Sequence, residues 1–287
     1  MTAPSPKEIR MTSYRVPLRA LLLTAAVAAT LGACQRAEKK EPEAPAATAA
    51  ATATNPLKYE SATPWAKVSL TLPEAIKTEP QLYVELYRQE VADLSQYAEG
   101  AQADRTEAGG DSAMGPYEKT IIYDDAVQTG RLFSAMRTDF DYSGGAHPNT
   151  VATGLLWDKT ERRRITPADL FAKGADLSAL ERTLCAAVNT AKKARPGAKP
   201  VTASSDTWSC PKLKNVAMIL APGATAGKAG GLTFLLDAYA VGPYVEGAYY
   251  ITLPASAFQS LLAPAYAAEF AGQPLKTGDV TNDLRPK

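Results

Sequence analysis

Two spacings of apolar residues, a period of two and a period of three to four, predict where strands and helices fall in this chain. Ala66, Val68, Leu70 and Leu72 alternate with polar residues before Pro73, which predicts a strand ending there. From Glu79 or Pro80 the spacing changes. Leu82, Tyr83, Leu86, Tyr87, Val91 and Leu94 recur three and four residues apart and cover one broad helical face. Gly100 to Gly115, with its glycines and charges, reads as an exposed loop. Two strands are expected next, Pro116 to Tyr123 and Arg131 to Tyr142, joined through Asp124-Asp125 and a Thr129-Gly130 turn. A glycine turn from Ser143 to Asn149 leads into a strand from Val151 to Trp157, closed by the polar corner Asp158-Lys159-Thr160. Thr166-Pro167-Ala168-Asp169 has the order N-cap, proline at N1 and acid at N3, so a short helix starts there.

In the second half, Asp176 caps a helix whose apolar face is Leu177, Leu180, Leu184 and Val188, and Arg195-Pro196-Gly197 ends it. Val216 to Leu220 and Leu232 to Leu236 are strands on either side of a glycine- and alanine-rich hairpin loop. A Gly242-Pro243-Tyr244 turn, a strand from Ala248 to Leu253 and a short helix from Ala257 to Leu262 follow. Beyond Tyr266 the chain turns polar and is expected to fray. The fold class is α+β: antiparallel sheets with packed helices, in two subdomains (57–145 and 146–270), with a polar tail at 271–287. No fixed-period repeat is visible, which argues against a solenoid.

The N-terminal stretch changes the picture from a soluble domain to an anchored one. Lys7, Arg10, Arg15 and Arg19 precede an apolar run from Ala20 to Thr30 that is too short for a comfortable membrane span. Leu31-Gly32-Ala33-Cys34 then matches the lipobox of bacterial lipoprotein signals. Residues 1–33 are therefore expected to be a cleaved signal peptide, with Cys34 acylated and inserted in a membrane. Met11 is an equally good start, because Arg15 and Arg19 suffice as its charged region. Residues 34–56 combine lipid attachment with a tether rich in Ala, Thr, Pro, Glu and Lys, whose composition does not favour packing. Extended, it would reach about 60 Å. Gln35, where aspartate often signals inner-membrane retention, favours the periplasmic face of the outer membrane.

Charge and cysteine count narrow the partners. Removing residues 1–33 takes away four Lys/Arg and one Asp/Glu, so 31 and 30 become 27 and 29, formally −2. Nothing in that balance points to nucleic acid. With Cys34 assigned to lipid, Cys185 and Cys210 remain as a pair in an exported chain, where disulfides persist; a pair of buried free thiols is the alternative. One histidine and two distant cysteines make no zinc set, and neither a metal nor a cofactor is expected.

Two blocks carry a family resemblance. Tyr142-Ser-Gly-Gly-Ala-His-Pro-Asn149, followed by a strand, a charged turn and Ile165-Thr-Pro-Ala-Asp-Leu-Phe171, resembles the RsiV-type extracytoplasmic domain family. Phe234-Leu-Leu-Asp-Ala-Tyr-Ala-Val-Gly-Pro-Tyr-Val-Glu-Gly247 is similar to that family's C-terminal signature, and the resemblance spans roughly Leu57 to Tyr266. Family members occur in lysozyme-sensing anti-sigma factors, beside peptidoglycan deacetylase domains and in lipoproteins. The resemblance therefore implies lysozyme or peptidoglycan as the ligand class, in envelope-stress sensing or lysozyme inhibition. This chain shows no cytoplasmic segment and no membrane-spanning helix, so it is expected not to hold a sigma factor itself. The deacetylase chemistry of associated proteins lies in a separate domain.

Two groups of residues could form a ligand site. The first is the glycine turn: His147, the single histidine, with Tyr142, Gly144, Gly145 and Asn149. It either grips a ligand or serves only to shape a tight connection. A Ser143–His147 nucleophilic pair oriented by Asp139 or Asp141 would lack any elbow or oxyanion signature, so no catalytic residue is assigned. The second group is Tyr239, Pro243, Tyr244 and Glu246, with Tyr249 and Tyr250 close in sequence. Tyrosines about a rigid turn suit a sugar or a protein partner, whereas tyrosines alternating along a strand are core. Asp237 and Glu246 could be a carboxylate pair for sugar chemistry, which leaves a carbohydrate- or peptidoglycan-modifying enzyme, or an accessory subunit of one, as the alternative function. A purely structural envelope lipoprotein is a further alternative. Gly223 to Ala229 is no phosphate loop, since three residues separate its glycines and Ala229 stands where Ser or Thr would bind magnesium. Arg162-Arg163-Arg164 reads as a solvated hairpin tip.

Overall fold

The computed structural model describes residues 56–107, 109 and 115–284. The expected signal peptide, the expected lipid site Cys34 and the expected tether up to residue 55 lie outside the described residues. The chain forms β1 (Lys58–Ala62), β2 (Ala66–Thr71), α1 (Pro80–Glu107), β3 (Tyr117–Gln128), β4 (Leu132–Tyr142), β5 (Asn149–Asp158) and β6 (Arg163–Arg164). It continues as α2 (Ser178–Lys193), β7 (Ala217–Pro222), β8 (Ala229–Leu236), β9 (Tyr249–Pro254), α3 (Pro264–Ala267) and β10 (Gly278–Asp279). β1 to β6 make one sheet in chain order, and a second sheet has the order β10-β9-β8-β7.

The α+β class holds, with one difference in the pairing. β2 and β3 are parallel, while the other ladders are antiparallel. A parallel pair requires a crossover, and α1 supplies it. The residues behind the expected boundary near 145 also sort differently. That position is the tip of the β4–β5 hairpin, both strands belong to the first sheet, and the change of sheet comes between Arg164 and Ala217.

Alternation along the strands builds four layers. On β4 and β5, Phe133, Ala135, Leu155 and Trp157 face α1, where they pack with Leu82, Leu86 and Leu94. The opposite face of the same strands meets the second sheet: Met136 and Ala152 pack with Ile219, Leu235 and Tyr250. The far side of the second sheet is covered by α2, where Leu180, Leu184 and Val188 meet Met218, Phe234 and Ile251. β8 is therefore buried along its whole length, which accounts for its unbroken Ala-Gly-Gly-Leu-Thr-Phe-Leu-Leu run. The two sheets approach closely at Gly154, where a Cβ would sit 2.0 Å from the Met218 carbonyl oxygen. Polar ties also reach the first sheet from β7 and from α3. Leu220 N donates to Ser134 Oγ at 3.1 Å, and the Tyr266 hydroxyl donates to Asp158 at 2.9 Å.

Several local expectations are corrected. α1 does not stop before Gly100. It continues for two more turns because Ala101 and Arg105 are buried, with the Arg105 guanidinium over the rings of Trp65 and Tyr117 and bonded to Gly115 O. These contacts outweigh the roughly 1 kcal/mol cost of a helical glycine. Asp124-Asp125 does not end β3 but forms a bulge within it, with Asp125 at φ 48°. Arg163 and Arg164 pair with Asp158 and Trp157 as a short strand, and Arg164 binds Glu85 at 2.8 Å. The polar tail does not fray at 271–284. β10 pairs with β9, Val280 is buried, and Thr281 Oγ1 accepts from Tyr250 N at 2.8 Å. β1, which the sequence pattern did not predict, pairs with β2.

Cys185 and Cys210 are joined by a disulfide, with Cα atoms 5.2 Å apart. The Asn189 side chain reinforces the same junction, donating to Val201 O at 2.9 Å and accepting from Val201 N at 2.8 Å. Together they hold the segment after α2 against that helix.

The close approach at Gly154 is testable. Gly154→Ala should lower unfolding stability by about 2 kcal/mol or more through overpacking, measured by urea titration. A change within about 0.5 kcal/mol would mean that the sheets separate there without cost.

Candidate functional site

The two groups singled out in the sequence, about ninety residues apart in the chain, meet on one surface. The β4–β5 hairpin tip carries the first. Gly144 and Gly145 take φ of 92° and 111°, values a side chain would strain, and so present His147 at the tip. The turn after β8 carries the second. Pro243 starts a 3-10 turn, Tyr244–Glu246, and Gly247 closes it at φ 70°. The His147 and Tyr244 rings stack with centroids 4.1 Å apart at 19°. His147 Nδ1 and the Tyr244 hydroxyl both lie within hydrogen-bond reach of Pro148 O, at 3.0 and 3.2 Å.

The stack extends further. Tyr239 lies 5.5 Å from Tyr244, and Trp208 lies 6.3 Å from Tyr239. Four rings thus form a strip, His147, Tyr244, Tyr239 and Trp208. Tyr239 is 53% exposed, Tyr244 is 36% exposed, and Val245 beside them is 89% exposed. Tyr239 holds φ 71°, a left-handed conformation that costs a non-glycine residue about 1–2 kcal/mol. Such strain persists where the surroundings over-determine it, and it clusters at binding sites. Trp208 reaches the strip from the segment pinned by the Cys185–Cys210 disulfide.

The remaining predicted residues fall at different distances from the strip. Tyr142 is on the same hairpin tip, with its hydroxyl donating to Gly145 O at 3.3 Å, outside the ring stack. Asn149 is exposed at the start of β5, and Pro243 is exposed at the start of its turn. Glu246 is turned inward. It pairs with the fully buried Lys192 and accepts from the Tyr249 hydroxyl at 2.6 Å. Burial alone would push the Glu246 carboxyl up, but the bonds from Lys192 and Tyr249 outweigh it and hold the carboxyl below its ordinary value. Glu246 therefore acts as a strut for the turn. Tyr249 and Tyr250 are buried and belong to the core. Ser143 and His147 share no hydrogen bond, and neither Asp139 nor Asp141 bonds the imidazole; Asp139 pairs with Lys119 and Arg137 instead.

Beside Tyr244 lies an open groove of about 610 Å³, lined among others by Thr138, Thr150, Asp237, Val245 and Tyr250. Asp237 accepts from Ala152 N through both oxygens, at 3.0 and 3.1 Å. β6 pairs only with Trp157 and Asp158, so this part of β5 is an open edge, and the carboxylate satisfies it. Burial pushes the Asp237 carboxyl up to about 6. Among the described residues no group of three His, Cys, Asp or Glu side chains is arranged to hold a metal, and no helix is long and apolar enough to cross a membrane.

Trp208, Thr138 and Lys192 were not found from sequence. Lys192 left a signal, because it continues the Leu180, Leu184, Val188 stripe at the same four-residue interval. A lysine on an apolar helix face implies a buried acid opposite it. Trp208, a large apolar side chain in an otherwise polar segment, left a weaker one.

Comparison with known proteins adds little to this geometry. No protein-family model matches the chain, and no curated protein matches it. Among solved structures it is similar to a DUF3298 family member from Bacteroides fragilis NCTC 9343, at TM-score 0.47 and 18% identity, covering 74% of this chain and 94% of that one. It is also similar to a DUF3298 family protein from Pseudomonas aeruginosa PAO1, at TM-score 0.45 and 16% identity, covering 75% of this chain and 94% of that one. Neither description carries the RsiV-type assignment. Likenesses at this level leave the site to be argued from its own residues.

The Asp237 environment predicts a pH dependence. Its folded-state pKa lies above the unfolded value, so the folded state gains stability as pH falls through about 6 toward the ordinary carboxylate range. Asp237→Asn removes this dependence. The melting temperature of the variant relative to the parent should be highest near about pH 7.5 and decline toward about pH 5. Asp124, pushed up to about 7 by burial and by Asp125, acts in the same direction in both proteins and cancels in the difference. A difference constant with pH would contradict this account of the carboxylate.

Proposed function

We propose that this chain is a non-enzymatic ligand-binding domain of the bacterial cell envelope, and that the His147–Tyr244–Tyr239–Trp208 strip is its docking surface for a protein partner. The observation that carries this reading is the convergence of three separate segments into one row of rings, one of them on strained backbone. Tyrosine and tryptophan are the side chains that dominate binding energy at protein interfaces, and Val245 supplies exposed apolar area beside them. The ligand class, a c-type lysozyme or peptidoglycan itself, comes from the resemblance of the two sequence blocks. Sequestration or inhibition of a lysozyme needs no further protein, whereas envelope-stress sensing needs a partner that passes the signal on. The lipobox at Cys34 supports a lipid-anchored protein at the periplasmic face of the outer membrane, held on its tether.

The alternative of a carbohydrate- or peptidoglycan-modifying enzyme is less well supported. Two-carboxylate chemistry needs two available acids, and Glu246 is committed to Lys192 and Tyr249. A structural envelope role would leave the strain at Tyr239 and the exposed rings without a purpose.

Calorimetric titration of the purified protein with a c-type lysozyme, and separately with soluble peptidoglycan fragments, tests the proposal. Lysozyme should bind, and Tyr239→Ala or His147→Ala should each weaken it by roughly tenfold or more, the effect of losing an interface anchor. Binding of the fragments alone would place a glycan on the strip instead. Absence of heat with both ligands from a folded, disulfide-bonded sample would overturn the ligand class.

A further inference from the structure

The groove beside the strip contains a polar group that the rest of the fold leaves unused. Thr138 lies on the β4 face that looks toward the second sheet and is only 5% exposed, yet its buried hydroxyl has no hydrogen-bond partner. A buried hydroxyl left unpaired costs about 1–3 kcal/mol, so such groups are rare unless something else completes them. Thr138 lines the same groove as Asp237, Thr150 and Tyr250. Asp237 bonds Ala152 N and the Tyr250 hydroxyl, but among the described residues no lysine, arginine or histidine forms an ion pair with it. The groove thus presents a carboxylate without a counter-ion and a hydroxyl without a partner.

We infer that this groove binds a primary ammonium group, carried by an amino sugar or by the side chain of a diamino acid, with Asp237 as its counter-ion and Thr138 Oγ1 as a second acceptor. The chemistry of the lining selects that group. An ammonium has three donors and no acceptor, matching a carboxylate plus a hydroxyl oxygen. A neutral sugar hydroxyl would leave the carboxylate's charge uncompensated in a partly desolvated place. A guanidinium is favoured by a free two-oxygen edge, and here both Asp237 oxygens already share Ala152 N. Tyr244 and Tyr250 line the same groove beside the carboxylate. The volume of about 610 Å³ admits a monosaccharide or a side-chain end. This site borders the partner surface and shares Tyr244 and Val245 with it, but Asp237 and Thr138 lie in the groove alone and His147, Tyr239 and Trp208 do not line it, so the Asp237 and Thr138 variants test the groove and the His147 and Tyr239 variants test the strip.

The test is titration of the purified protein near neutral pH with glucosamine and with Nα-acetyl-lysine amide, each against its N-acetylated counterpart, followed by NMR chemical shifts. At least one free amine should bind saturably, and its acetylated counterpart should bind roughly tenfold or more weakly. Glucosamine alone would identify the amino-sugar source, and the lysine derivative alone the diamino-acid source. Asp237→Asn should weaken binding by about tenfold. Thr138→Val, which keeps the shape and removes a hydroxyl that no other residue needs, should weaken it by about threefold while leaving the melting temperature unchanged or raised. Equal binding of free and acetylated amines, no saturable binding by either amine, or unchanged affinity in the folded Thr138→Val protein would overturn the inference.

Discussion

The buried ion pair between Lys192 and Glu246 is the constraint on which the binding surface depends. Lys192 is 2% exposed at the end of the α2 stripe and meets a carboxylate on the turn that carries Tyr244. Burying two charges costs several kcal/mol, and their attraction repays it only when the remaining bonds are also made. Here they are made: the Tyr249 hydroxyl reaches Glu246, the Arg195 guanidinium reaches Glu246 O, and Arg195 stacks 3.4 Å from the Tyr249 ring centroid. Gly242 is required by the same arrangement, because a Cβ there would lie 2.4 Å from Glu246 Oε2. The pair fixes one geometry of the turn, with Val245 outward and Tyr244 against His147. Its role is to specify that geometry more than to add net stability.

The layer order explains why the hairpin tip and the turn can meet at all. β4 and β5 give one face to α1 and the other to the second sheet, and β8 delivers the chain to the edge of β5. Asp237, the first residue after β8, bonds Ala152 N and so ends the second sheet against the open edge of the first. His147 and Tyr244 then project from the same end of the two sheets. The disulfide and Asn189 hold the Trp208 segment to α2, whose far end carries Lys192. One helix therefore positions both Trp208 and Tyr244.

Much of the fold was legible where periodicity is strong. The α1 and α2 stripes, the alternation of β2, the capping box of Thr166 and Asp169, and the cysteine pair are local or compositional signals, and they hold. What failed depends on tertiary contacts. The end of α1 is set by Trp65 and Tyr117, which lie outside the helix, and the C-terminal segment is ordered by β9 and Arg195 rather than by its own composition. The candidate residues were singled out for a physical reason, since a lone histidine following two glycines and a proline-tyrosine turn each need a special backbone. Their adjacency could not be read, and neither could the inward turn of Glu246, because a carboxylate at a turn ordinarily faces water.

The central claim is that three separate segments form one docking surface. Hydrogen exchange of the protein with and without a bound c-type lysozyme measures it directly. The account predicts simultaneous protection at residues 142–151, 202–210 and 239–247, with the edge strand Lys58–Ala62 unchanged. Protection confined to one of the three segments, or centred on that edge strand, would contradict it.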